Sequence, residues 1–117
     1  MHELSIAVAL LEQVEAVVAR EKASRAACVR IAVGALSGVE VGALKEVFPL
    51  VAEGTVASGA ELRVELVVAR VRCHACGKES QADRFFMACA ACGSGDVELS
   101  AGRELNIVSV DVISDER

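Results

Sequence analysis

The chain is almost without aromatic residues: three Phe, no Trp and no Tyr among 117 residues. Its core must therefore be aliphatic, built from Val, Leu, Ile and Ala. Stacking platforms for single-stranded nucleic acid are poorly supplied, since only Phe48, Phe85 and Phe86 could serve. Lys and Arg form no cluster and the formal net charge is −5, so the electrostatic footprint of a phosphate-backbone binder is missing. No run reaches the roughly 18 uncharged apolar residues of a membrane span. The opening residues include Glu3, Glu12 and Glu15, which argues against a signal peptide. No Ser-His-Asp set, phosphate loop or paired-carboxylate site is visible, and an enzyme is not expected. Neither nucleic acid nor a membrane is expected as a partner, and the expected compartment is the cytoplasm.

What is present is apolar and cysteine-bearing. Hydrophobic residues make up 54% of the chain and charged ones 25%, enough for one domain with a sizeable core, or a small domain with an appended module. Four of the five cysteines form matched pairs, Cys73-His74-Ala75-Cys76 and Cys89-Ala90-Ala91-Cys92. Two C-x-x-C knuckles can converge four soft thiolates on one tetrahedral zinc ion. Gly77 and Gly93 follow the second cysteine of each pair and supply the left-handed backbone that such a knuckle needs. Four thiolates close the coordination sphere, so this zinc is structural. Redox chemistry would need only one pair, and an iron–sulfur cluster is the remaining possibility. His74 reads as a solvated loop residue or as a spare ligand, and Cys28 as a small buried hydrophobe.

Periodicity places these motifs on a frame. Residues 3–21 predict an amphipathic helix with Leu4, Ala7, Val8, Leu11, Val14 and Val18 on one face, widened by Leu10 and Val17. Residues 27–34 predict a strand, and residues 40–53 a second helix kinked or broken near Pro49, ending at Gly54. Residues 61–72 predict one long strand, buried on both sides toward Val71. Val97 and Leu99 suggest a short strand, Gly102 a turn, and residues 104–113 a last strand before a disordered tail, Ser114 to Arg117. The fold class is α+β: a small sheet with two helices, into which a zinc-ribbon module is inserted. The expected division is residues 1–70 plus 104–117 for the α/β domain and 71–103 for the four-cysteine module.

The amino terminus carries a second candidate. His2 is too large for methionine aminopeptidase to act before it, so Met1 should be retained. The α-amine, the His2 amide nitrogen and the His2 imidazole can then close fused chelate rings around one ion. Planar nitrogen and oxygen donors suit Ni(II) and Cu(II), and the Glu3 carboxylate or a water could take a fourth position. On residue types alone, His2 can equally be incidental and Glu3 a helix-start carboxylate that complements the macrodipole.

Met1-His2-Glu3-Leu4-Ser5-Ile6, the segment Val33-Gly34-Ala35-Leu36-Ser37-Gly38-Val39-Glu40, the paired knuckles and Gly102-Arg103-Glu104-Leu105 occur in this order and at these separations. Together they resemble the HypA/HybF family of hydrogenase nickel-incorporation proteins, over nearly the whole chain. The resemblance implies an α/β nickel-binding domain and a rubredoxin-like zinc domain. It implies nickel at Met1, His2 and Glu3, and zinc at Cys73, Cys76, Cys89 and Cys92. It implies a metallochaperone that works with a HypB-type GTPase to load the large subunit of [NiFe]-hydrogenase, and some such proteins also supply urease maturation. A monomer or weak homodimer is expected. Two departures stand out: Ala90 where the family often has Pro, and Val41 with Pro49 where proline usually opens the second helix. The alternative reading is a zinc-ribbon protein-interaction or transcription-related module with no specific nickel site.

Overall fold

The computed structural model describes residues 2–82 and 87–115. Its elements are α1 (Glu3–Arg20), β1 (Arg25–Gly34), α2 (Val41–Ala52), β2 (Glu61–Val67), β3 (Arg70–Cys73), β4 (Glu79–Gln81), β5 (Val97–Ala101) and β6 (Leu105–Ile113). They form two three-stranded sheets, ordered β2-β1-β6 and β4-β3-β5. Two compact units result: Met1–Ile31, Val39–Glu65 and Asn106–Arg117 in one, Ala32–Gly38 and Leu66–Leu105 in the other. No helix among the described residues is long and apolar enough to cross a membrane.

The first unit is held by an aliphatic core. Ala7, Leu10, Leu11, Val14 and Val18 form the buried stripe of α1, which packs on α2. Leu4 and Val8, predicted on that face, stay 57% and 40% exposed, so the stripe is turned toward Leu10. Leu44, Phe48 and Ala52 are the buried face of α2, and Val29 and Ile31 of β1 are fully buried. Each such large side chain contributes about 1.5–3 kcal/mol relative to exposure. Cys28 is buried as a small hydrophobe.

Local chemistry sets where the helices stop. α1 ends in a pair of tightening bonds: Ala23 N–H donates to Val18 O at 3.0 Å and Lys22 N–H to Ala19 O at 3.1 Å. This is the Schellman arrangement, and it puts Lys22 at φ 53°, where glycine is usual. α2 is not broken at Pro49; it runs on to Ala52. Proline removes one amide donor and crowds one carbonyl, and here both effects fall on the exposed side of the final turn, where few helical bonds remain to be lost.

The predicted long strand over 61–72 is two strands. β2 ends at Val67, and β3 starts at Arg70 in the other sheet. The apolar run that suggested burial on both sides spans this change of sheet, and Leu66 and Val68 are 70% and 49% exposed. β3 pairs antiparallel with β4 through Val71↔Ser80 and with β5 through Val71↔Leu99, with a register shift between Arg70 and Val71. β4 has no periodic signal in three residues. In the tail, Asp115 N–H donates to Ser24 Oγ at 2.9 Å, so the chain is tied down that far; Glu116 and Arg117 lie outside the described residues.

Two sequence segments that are far apart meet in the second unit. Gly34 N–H donates to Glu104 O at 2.8 Å, Leu36 N–H to Gly102 O at 2.7 Å, and Ala35 N–H to Val67 O at 2.8 Å. A Cβ on Gly34 would overlap the Gly102 carbonyl, and one on Gly102 would stand 2.8 Å from Ala69 Cα. Gly102 is also at φ 124°. Both positions therefore require glycine. Gly34→Ala should destabilise the protein by about 3 kcal/mol, the upper part of the range for overpacking. Urea unfolding of the metal-loaded protein would measure this; a loss under about 1 kcal/mol would mean that the two backbones can move apart at little cost.

Candidate metal centres

The cysteine knuckles are built alike. Cys73 N–H donates to Lys78 O and Gly77 N–H to Cys73 O, each at 2.9 Å. In the second knuckle Cys89 N–H donates to Ser94 O at 2.9 Å and Gly93 N–H to Cys89 O at 2.8 Å. Gly77 and Gly93 have φ 77° and 79°, which lets the chain fold back over the sulfurs. The knuckles are also bound to their surroundings: His74 N–H donates to Asp96 O at 2.9 Å, and Ala90 N–H to Ser80 Oγ at 3.1 Å.

All four sulfurs lie within 4.8 Å of one another. Cys73 Sγ and Cys92 Sγ are 3.6 Å apart, as are Cys76 Sγ and Cys89 Sγ. A tetrahedron with Zn–S bonds of ~2.3 Å has an S···S edge of about 3.8 Å, so the donor set fits such an ion. Cys73 and Cys89 are buried, while Cys76 and Cys92 face outward. Amides prepare the buried pair for the thiolate form. The Cys76 N–H, 3.4 Å from Cys73 Sγ, lowers the Cys73 thiol against the opposing effect of burial, helped by the Ala75 amide. The Cys92 amide is the main cause that brings Cys89 down to about 6, again against burial, with the Ala91 amide adding to it. Cys92 goes the other way: the Ser94 amide favours its thiolate, but the Cys73 and Cys89 sulfurs push it up to about 12. Four thiolates this close repel one another, and a divalent cation offsets that repulsion. His74 is outside the sulfur cluster; its Nε2 is 3.8 Å from Glu98 Oε2 and the ring is half exposed.

The amino-terminal candidates are in the other unit. Met1 lies outside the described residues. His2 is exposed, occupies the N-cap position of α1 and makes no side-chain cap hydrogen bond. Its carbonyl starts the helix by accepting from Ile6 N–H at 3.2 Å. Glu3 is the acidic residue of the first turn. Its Oε2 accepts from the Glu40 N–H at 3.0 Å, and this bond is the main cause that holds its carboxyl below the ordinary carboxylate value. Glu40 in turn caps α2 by accepting from Gly42 N–H at 2.7 Å. Glu40 is therefore the residue that sequence reasoning missed at this site. The signal was present, since an acidic residue stood just before the apolar run of α2, but a contact across 37 positions leaves no local trace. His2 and Glu3 line a cleft of about 570 Å³ together with Leu4, Ala43, Glu46 and Leu50.

Comparisons with known proteins identify the family and the fold. Residues 1–112 match the family described as "Hydrogenase/urease nickel incorporation, metallochaperone, hypA". The hydrogenase maturation factor HypA of Nitrosospira multiformis is 37% identical, covering 97% of this chain and 99% of its own length. That of Chlorobaculum tepidum is 41% identical, covering 96% and 99%. In fold, the solution structure of the Ni metallochaperone HypA from Helicobacter pylori superposes with a TM-score of 0.71 at 20% identity, over 98% of this chain and all of that one. The family match includes the helical part as well as the knuckles, which does not favour a free-standing zinc-ribbon module. With its four-cysteine cluster, its two helices and its full-length relatives, this chain belongs to the HypA family of hydrogenase and urease nickel-incorporation metallochaperones.

Proposed function

We propose that this protein carries Ni(II) at its amino terminus and delivers it for maturation of [NiFe]-hydrogenase, as a carrier and not an enzyme. The observation that supports this best is at the start of α1. His2 holds a position where a side chain commonly caps the helix, yet its imidazole is exposed and makes no cap bond. That leaves it available to a metal. The ligand set would be the Met1 amine, the His2 amide and imidazole, and Glu3 or a water. The Glu40 amide restrains the Glu3 carboxylate, the residue next to His2 in the chain, by holding one of its oxygens. A few ligands at a chain end can be exchanged one at a time, which suits an ion that must be passed on.

Cys73, Cys76, Cys89 and Cys92 would hold a structural zinc, which supplies folding energy to its part of the chain and no reaction. In this reading residues 1–70 with 104–117 make the nickel-binding domain and residues 71–103 the zinc module. The proposed partners are a HypB-type GTPase and the hydrogenase large subunit, met in the cytoplasm.

A paired calorimetric titration tests the amino-terminal chelate. Zinc-loaded protein with its native Met1 should take one nickel per chain, and protein with a single residue added before Met1 should bind at least about tenfold more weakly. Equal affinity would rule out coordination by the amine. His2→Ala should also weaken nickel binding by at least about tenfold while zinc content and thermal unfolding stay unchanged; loss of zinc in this variant would contradict the separation of the two sites. Protons compete with nickel for the amine and the imidazole, so affinity should rise with pH. A titration series across the neutral range that gave flat affinity would exclude these nitrogens as ligands.

A further inference from the structure

The cleft that holds His2 and Glu3 has a wall that the amino-terminal chelate does not use. That wall is α2, and its polar residue is Glu46. Glu46 is exposed. Among the described residues it has no hydrogen-bond or ion-pair partner. The reason is local: its neighbours three and four positions away are Gly42, Ala43, Pro49 and Leu50, none of which carries a cation. A free carboxylate therefore faces the same space as the proposed nickel donors.

The sign of the charge in this cleft is uniform. Glu3 and Glu46 are its carboxylates, and no Lys or Arg among the described residues lines it. The groove at the other end of α1, beside β6, differs: Arg20 and Glu21 both line it and their charges cancel. Around the two carboxylates the walls are apolar, with Leu4 and Leu50 exposed on either helix. Charges of one sign between low-dielectric walls focus the field and concentrate counter-ions in the cleft.

Geometry separates the two carboxylates along the cleft. The Glu40 amide holds the Glu3 carboxylate at 3.0 Å. Glu46 is six residues further along α2, a rise of about 9 Å. A metal–oxygen bond is only about 2 Å long, so an ion seated at Glu3 meets Glu46 through a bound water. There is room for this: six waters occupy roughly 180 Å³, and the cleft measures about 570 Å³. We infer that Glu46 is a capture residue for the nickel site. It draws hydrated Ni(II) into the cleft and accepts a hydrogen bond from a metal-bound water while the amino-terminal nitrogens displace other waters. Such charge-assisted bonds are the stronger kind. The inference rests on the amino-terminal carrier reading above. It adds a residue of α2 that acts on the rate of loading and is not itself a ligand.

Stopped-flow mixing of nickel chloride with the full, zinc-loaded chain tests this, followed by the absorption of the nickel complex. At low salt Glu46→Gln should slow association at least about threefold, and Glu46→Lys at least about tenfold. Glu46→Asp keeps the charge and should retain most of the rate. The final spectrum should be the same in all of them, because the ligands are the same. At about 1 M salt, where screening acts within about 3 Å, the native and Glu46→Gln rates should converge. Glu12→Gln makes the same change of charge on α1 away from the cleft and should leave the rate unchanged. Equal low-salt rates for native and Glu46→Gln protein would overturn the inference, as would equal slowing by Glu12→Gln. An altered final spectrum in Glu46→Gln would overturn it too, since Glu46 would then be a ligand. If the native chain binds no nickel, or binds it equally with a residue added before Met1, the carrier reading and this inference fail together. Amine-dependent binding that is indifferent to Glu46 sinks this inference alone.

Discussion

At Gly34 the end of β1 passes the Gly102 carbonyl so closely that no side chain fits between them, and Gly102 passes Ala69 in the same way. Three backbone hydrogen bonds, from Gly34, Ala35 and Leu36, are possible only because of that approach. They join the segment after β1 to the segments that lead into and out of the cysteine knuckles. The knuckle-bearing chain leaves at Val67 and comes back at Gly102, so its two ends are fixed at one place in the second unit. With the ends fixed, the excursion between them needs little else: two short strands on β3, and four sulfurs that a metal ion can draw together. Small modules without a large apolar core commonly depend on a metal in this way.

The two candidate metal centres differ in what surrounds the donors. At the cysteines, backbone amides point at Cys73 and Cys89, two of the four sulfurs are buried, and each knuckle is closed by its own hydrogen bonds. An ion held there has no open position. At the start of α1, His2 is exposed and only Glu3 is anchored, through Glu40. This second arrangement orients a carboxylate without enclosing the ion. The contrast is what the proposed carrier role requires: one site whose ion stays and one whose ion can leave.

Much of this was legible in the sequence, for identifiable reasons. α1 and β1 carry strong periods and lie where expected, and the knuckle glycines have the left-handed backbone that their place after each C-x-x-C pair implied. Errors fell where the period was ambiguous or tertiary. The apolar run from Leu66 to Val71 looked like one buried strand because a change of sheet leaves no mark when the residues on both sides are Val and Ala. Pro49 looked like a break because its position in the last turn of α2 depended on where that helix ended. Leu4 and Val8 fit the helical period but extend beyond what covers the rest of the stripe. Glu40 could be read as a cap of α2 but not as a neighbour of Glu3, because that contact comes from a backbone amide, which every residue but proline carries.

One helix serves both ends of the first unit. The first turn of α1 borders the cleft that holds His2 and Glu3, while its last turns, from Gln13 to Glu21, border the groove beside β6. A helix of 18 residues is about 27 Å long, so the cleft and the groove lie toward opposite ends of it. The buried stripe of α1 is what makes this separation rigid: Ala7, Leu10, Leu11, Val14 and Val18 run almost from one end to the other, so the helix cannot tilt at one site without moving at the other.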